Sequence, residues 1–290
     1  MLSRIPQSLY SLNPATAYPL RPNYPKKSLA KPKCDCNIAF GARFTCVAPF
    51  PIDARQIEEA HLKRIGFLFF VAAVVGFAAL AHAGYDEGKA AYDRGDFAAA
   101  YEAFQGMAGL GDAEAQYYLG RMYAKGQGVT EDQAEAMKWY RKAADQGYAK
   151  AQFSIGAAYQ TGKGAQQDYV EAVKWFNKAA EQGDAEAQYS LGNMYGEGHG
   201  VPQDYVEAEK WCRKAADQGD ALAQTSLGWA YADGNGVPQD HVQALMWFNV
   251  AAAQGYSEAR KGMDTVVEHM TPAQIAEAER LAKAWQPKGR

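Results

Sequence analysis

The chain has 290 residues, 48% of them hydrophobic, and a formal net charge of −3. The totals hide two unlike parts: up to Ala83 ten Lys/Arg face four Asp/Glu, and from Gly84 onward 20 face 29, a change from +6 to −9. An acidic segment of 207 residues lacks the basic footprint that nucleic-acid binding needs, and with Cys212 as its lone cysteine it is not a disulfide-stapled scaffold.

Residues 1–60 are expected to be a disordered leader. Eight of the 12 prolines lie at or before Pro51. The stretch Asn13–Lys33 alternates proline, basic and small residues without a hydrophobic period, so it cannot bury enough surface to offset its ordering entropy. Cys34-Asp35-Cys36 lacks a second pair at zinc-ligand spacing and reads as incidental. Ser28-Leu29-Ala30-Lys31 matches Ser-x-x-Lys of penicillin-recognising enzymes, but it lies in the leader with no companion motif and is rejected.

Residues 61–83 read differently. Lys63-Arg64 precedes the uncharged apolar run Ile65–Leu80, and Ala81-His82-Ala83 closes it in a small-x-small pattern. That is the layout of a secretory signal cleaved before Gly84, which makes the remainder periplasmic or secreted. The alternative is a single-pass anchor through Ile65–Ala83. A signal beginning at residue 62 fits a start site assigned too far upstream, with Leu62 as initiator and residues 1–61 untranslated.

From Ala113 the chain repeats every 36 residues, as 113–148, 149–184, 185–220 and 221–256. Each copy opens Ala-x-Ala-Gln, ending at Gln116, Gln152, Gln188 and Gln224. An aliphatic-Gly pair follows (Leu119-Gly120, Ile155-Gly156, Leu191-Gly192, Leu227-Gly228), then Tyr123, Tyr159, Tyr195 or Tyr231, and later Trp139, Trp175, Trp211 or Trp247. Gln116, Leu119, Gly120 and Tyr123 share one face of a first helix, about Ala113–Ala124. A glycine inside a helix costs about 1 kcal/mol against alanine, so its recurrence calls for close approach of the partner helix.

The Gly-x-Gly between the helices (Gly126/Gly128, Gly162/Gly164, Gly198/Gly200, Gly234/Gly236) recurs in every copy, without the lysine or preceding strand of a phosphate loop, so it reads as architecture. Asp132, Asp168, Asp204 and Asp240 start the second helix as N-caps. Glu135, Glu171, Glu207 and Gln243 sit three residues on, in the pattern of a reciprocal capping box. Ala172, Trp175, Phe176 and Ala179 form that helix's apolar stripe, with the tryptophans read as core. Gly147, Gly183, Gly219 and Gly255 end it.

The run Ala185-Glu-Ala-Gln-Tyr-Ser-Leu-Gly192, continuing through Trp211 to Lys214-Ala-Ala-Asp-Gln-Gly219, resembles the Sel1-like repeat, a relative of the tetratricopeptide repeat with a longer inter-helix loop. The resemblance covers 144 residues. It implies an all-α fold, a right-handed solenoid of antiparallel helix pairs. It also implies use in protein–protein contact, often in bacterial envelope or signalling assemblies. Some cysteine-rich relatives have been labelled β-lactamases; the paired cysteines of that group are missing here. Residues 84–112 resemble a tetratricopeptide-like capping hairpin closing at Gly111. In 257–290, Ser257-Glu258-Ala259-Arg260 is a degenerate fifth opening. A cap helix follows, with Thr271 as N-cap, Pro272 at N1, Gln274 at N3 and a stripe of Ile275, Ala278, Leu281, Ala282 and Trp285, and disorder is expected after Pro287.

No catalytic constellation is visible, so the expectation is a non-enzyme without metal or cofactor. His199, His241 and His269 lack metal-pair spacing on a shared helix, and Cys212 stands where Tyr140, Phe176 and Phe248 stand, as a small apolar filler. The expected function is a cell-envelope scaffold that binds a protein partner along the concave face. The alternatives are a peptidoglycan or polysaccharide binder making glycan contact, and, behind it, an enzyme. In the tetratricopeptide register the first helices line the groove, which nominates Tyr117, Arg121, Lys125, Phe153, Tyr189, Asn193 and Trp229. Tyr117, Phe153 and Tyr189 form a line at repeat spacing, and Trp229 replaces the Arg121, Ala157 and Asn193 of the other copies. Aromatic and arginine residues are the ones enriched among interface anchors.

Overall fold

The computed structural model describes residues 84–288, which form helices, turns and short connections without a strand. The expected leader and the signal or anchor segment lie outside the described residues, as do Gly289 and Arg290. Among the described residues no helix is long and apolar enough to cross a membrane.

Helix α1 occupies residues 84–93 and α2 is Phe97–Gly109. The repeats supply α3 (Ala113–Lys125) and α4 (Gln133–Asp145), α5 (Ala149–Thr161) and α6 (Tyr169–Glu181), α7 (Ala185–Glu197) and α8 (Tyr205–Asp217), and α9 (Ala221–Asp233) and α10 (His241–Ala253). Helices α11 (Ser257–Val267) and α12 (Pro272–Ala284) follow. Helices α2 to α11 pack mainly against their chain neighbours, as in a solenoid; at the C-terminal end α11 also lies against α9, and α12 lies on α10 rather than on α11.

The repeat glycine has the packing reason its cost demands. A Cβ on Gly120 would lie 2.5 Å from the Tyr140 ring, on Gly156 2.6 Å from Phe176, on Gly192 2.5 Å from the Cys212 sulfur and on Gly228 2.4 Å from Phe248. The second-helix side chain therefore lies flat on the first helix's backbone. Phe176 and Phe248 are fully buried, as are Leu119, Ile155, Leu191 and Leu227 beside them. Burial of each such side chain stabilises by about 1.5–3 kcal/mol. In the N-terminal hairpin Phe104 is likewise fully buried and lies against Gly88.

Gln116, Gln152, Gln188 and Gln224 are buried polar groups, and each is satisfied twice. The amide of Gln116 donates to the Ala108 carbonyl (3.2 Å), and its oxygen accepts from Gln146 Nε2 (2.9 Å). The same pair recurs as Gln152 with Gln182, Gln188 with Gln218 and Gln224 with Gln254. Each unit thus ties its first helix to the preceding unit's last turn, where the glutamine amide adds a second bond to a carbonyl that the turn already engages. That turn is a Schellman closure: Gly147 N–H bonds the Ala144 carbonyl and Tyr148 N–H bonds Ala143, with Gly147 at φ +88°.

Two expectations need correction. Asp132, Asp168, Asp204 and Asp240 do cap the second helices, each accepting from the backbone N–H three residues on. The capping box is not reciprocal, however. The N–H of each aspartate is already bonded at 2.9 Å to the carbonyl of Tyr123, Tyr159, Tyr195 or Tyr231. Glu135, Glu171 and Glu207 are therefore released to pair with Lys138, Lys174 and Lys210. The reciprocal box exists at Thr271 and Gln274, where no such carbonyl competes. The tryptophans, too, are not uniformly core. Trp247 is 3% exposed, but Trp139, Trp175 and Trp211 are half-buried, each under a lysine (Lys142, Lys178, Lys214) 3.6–3.9 Å from the ring centre. Repeat four carries Val250 in place of that lysine, and α12 covers the site, with Trp285 6.0 Å from Trp247. Past α12 the chain stays ordered one residue beyond Pro287: Lys288 bonds Asp217 through both its N–H and its side chain.

Candidate partner-binding face

The first helices α3, α5, α7 and α9 present their second, fifth and ninth residues on one side. Burial, opposed by Arg121, pushes the Tyr117 hydroxyl up, and Glu186 of the third repeat and Asp184, the last residue of the second, add to the rise. The Glu186 carboxyl is raised by partial desolvation, then by Asp184 and Asp220, while Lys150 and Arg121 of earlier repeats oppose. Charges from the first three repeats thus bear on this side of the first helices.

The nominated residues fall into three environments. Tyr117 is half-buried between repeats, 5.9 Å from Tyr140 and 5.3 Å from Tyr148. Phe153 lies 5.7 Å from Phe176, and Tyr189 packs on the cluster built around α8 to α10. The aromatic line therefore contributes to the inter-repeat core while keeping an accessible edge; its fourth member, Thr225, is buried. Lys125 is exposed at the end of α3, whereas Arg121 is half-buried with its guanidinium over the Tyr92, Tyr117 and Tyr118 rings at 5.4–5.7 Å. Trp229 is half-buried, set edge-on to Phe248 at 5.1 Å.

Asn193 and Trp229 open on one cleft of about 220 Å³, lined also by Gly192, Cys212, Glu209 and Asp233. The corresponding cleft of the first two repeats, about 300 Å³, holds Tyr140, Phe153 and Ala157. The third repeat carries the smallest side chain, Cys212, where the others carry a ring, and the indole of Trp229 lines the cleft left in front of it. Burial pushes the Cys212 thiol up to about 12, which leaves it protonated and unreactive as a nucleophile. A larger cleft, about 630 Å³, lies at the other end, between α10 and α12, with Pro287 laid near Gly219.

Sequence spacing missed one juxtaposition. His241 at the start of α10 and His269 before α12 come from separate elements and stand 5.7 Å apart. His199 stacks on Tyr169 and meets Glu197 at 2.9 Å. Among the described residues no three His, Cys, Asp or Glu side chains converge as a metal site.

A family model, Sel1 repeat, matches residues 113–148, 149–184, 185–220 and 221–256. The crystal structure of c5321, a protective antigen present in uropathogenic Escherichia coli strains displaying an SLR fold, is 35% identical. That match covers 71% of this chain and 45% of the other at a TM-score of 0.65, so the chain spans under half the length of that protein. A Sel1 repeat protein from Oxalobacter formigenes is 33% identical, with 68% of this chain and 84% of the other covered and a TM-score of 0.58. A comparison with curated proteins finds no match.

Proposed function

The chain belongs to the Sel1 repeat family, and from that premise we propose that it is a non-catalytic adaptor of the bacterial cell envelope, binding a protein partner along the inner face of its first helices. The Sel1 fold commonly mediates protein–protein interaction, and its scaffolds are typically non-catalytic. The observation that carries the reading is the ninth position of the repeat. On a helix face whose glutamine, aliphatic residue, glycine and tyrosine recur in every copy, it changes from Arg121 to Ala157, Asn193 and Trp229, and the last two line an open cleft. A glycan reading draws less support, because lysines already cover the faces of Trp139, Trp175 and Trp211 that a sugar would stack on.

The envelope location rests on Lys63-Arg64, the apolar run Ile65–Leu80 and Ala81-His82-Ala83. A fusion of residues 61–110 to a reporter active only outside the cytoplasm tests it. Activity in a soluble product beginning near Gly84 supports export with cleavage, activity in a full-length membrane product supports the anchor, and inactivity overturns the location. For the binding role, the unaltered chain and its Trp229→Ala variant are compared in capture from envelope extract. One protein retained by the first and lost by the second, with both melting alike, supports the role; equal retention removes Trp229 from the site.

A further inference from the structure

The two half-buried arginines of the array are held in opposite ways. Arg213 has Glu209 four residues back as an ion-pair partner and donates to the Tyr231 hydroxyl at 2.7 Å. At Arg121 the residue four back is Tyr117 and the residue four forward is Lys125. Among the described residues Arg121 has no carboxylate within ion-pair distance and donates no hydrogen bond to the protein. Three tyrosine rings surround it instead: Tyr92 of α1 at 5.4 Å, and Tyr117 and Tyr118 of α3 at 5.7 Å each. Aromatic faces attract the flat cation and fix its orientation. They offer no in-plane acceptor to its five N–H donors, whose fork matches a carboxylate with two parallel bonds. The rings also shield part of the guanidinium from water, and they do so on the inner face, with Lys125 one turn on.

We infer that Arg121, held in the cage of Tyr92, Tyr117 and Tyr118, is the docking point for a carboxylate of the partner, supplied by an Asp or Glu side chain. The inference rests on the partner-binding role proposed for the same face and specifies its chemistry. It also orients the partner. Near Arg121, Glu186 stands with Asp184 and Asp220, and Asp233 lines the Trp229 cleft, where Glu209 is already paired with Arg213. A uniformly acidic segment is repelled there. The face fits a segment with a carboxylate at the first repeat and an apolar or basic residue toward the fourth.

The test uses the immobilised full-length chain and a displayed library of random twelve-residue peptides. The inference predicts that selected peptides are enriched in Asp or Glu near one end and not throughout. The Arg121→Gln variant binds a selected peptide at least tenfold more weakly. Changing that peptide's Glu to Gln weakens its binding to the unaltered chain by a similar factor, and the two changes together lose little more than either alone, as for groups in direct contact. Peptides with no acidic enrichment, or full binding by Arg121→Gln, overturn the inference. Should Arg121→Gln fail to fold, the Glu-to-Gln peptide against the unaltered chain decides alone. Peptides that lose affinity on Trp229→Ala and not on Arg121→Gln refute the carboxylate dock and leave the binding face standing. Selected peptides indifferent to both variants, or no selected peptide at all, refute the face as well.

Discussion

Replacing Gly228 by alanine adds one methyl group at the tightest of the repeat contacts. The new Cβ would stand 2.4 Å from Cε1 of Phe248, 2.5 Å from Cδ1 and 2.8 Å from Cζ, against about 3.5–4.0 Å for carbon atoms in contact. Relief requires a shift of about 1 Å in a side chain with no exposed surface. The ring cannot easily move: Gly262 holds it from α11, where a Cβ would be 2.5 Å away, and Trp229 abuts it. Overpacking of this kind costs about 1–3 kcal/mol, and the better helix propensity of alanine returns about 1 kcal/mol. With the ring fixed on both sides the upper part of the range applies, for a net loss of about 1–2 kcal/mol. Gly106 in α2 is the control, since a Cβ there meets nothing within 4 Å. Gly106→Ala should therefore be stabilising by up to about 1 kcal/mol. Urea unfolding of the two variants measures both. If Gly228→Ala is neutral or stabilising, the glycine is not there to admit the ring.

Three further outcomes are expected. Asp204→Ala should lose about 1 kcal/mol and Asp204→Asn much less, whereas Glu207→Ala should cost only the small worth of its exposed pair with Lys210; a Glu207→Ala loss as large as that of Asp204→Ala in the same melt would restore the reciprocal box. Cys212, protonated through burial, should stay unmodified by a thiol reagent at pH 8 in the folded chain and react once urea unfolds it, so prompt native labelling would contradict its place in the core. The Glu186 carboxyl is raised in the folded chain. Its ionised form therefore weakens the fold above the unfolded pKa, and the penalty fades as pH falls below it. Glu186→Gln should raise the melting temperature at pH 7 and leave it unchanged near pH 3, and a gain that persists in acid would point to some other cause.

The helix pairs were legible because their cues are local and repeated four times: an aspartate before the second helix, a glycine after it, a 3.6-residue stripe on each. What the sequence hid depends on groups far apart in the chain. The glutamine pairs are an instance. Gln116 and Gln146 recur at fixed places in every copy, and a glutamine repeated on an apolar face is itself a signal that a buried amide has a partner. The capping box misled because sequence spacing cannot show that the Tyr123 carbonyl already occupies the Asp132 N–H. The half-buried tryptophans escaped notice because Lys142, Lys178 and Lys214 read as ordinary solvated charges, although lysine stems readily cover an aromatic face. Around the nominated residues the surroundings were not legible: Tyr92, which completes the Arg121 cage, comes from the capping hairpin outside the repeat register.

The most direct test of the central claim, that the inner face of the first helices receives a protein partner, is site-specific photo-cross-linking in living cells. A photoreactive residue is placed at Asn193, on the cleft of the inner face, and separately at Lys174, exposed on a second helix. The account predicts one discrete adduct with another polypeptide from position 193, its loss when Trp229→Ala is added, and none from position 174. Adducts from position 174 with none from 193 would contradict it.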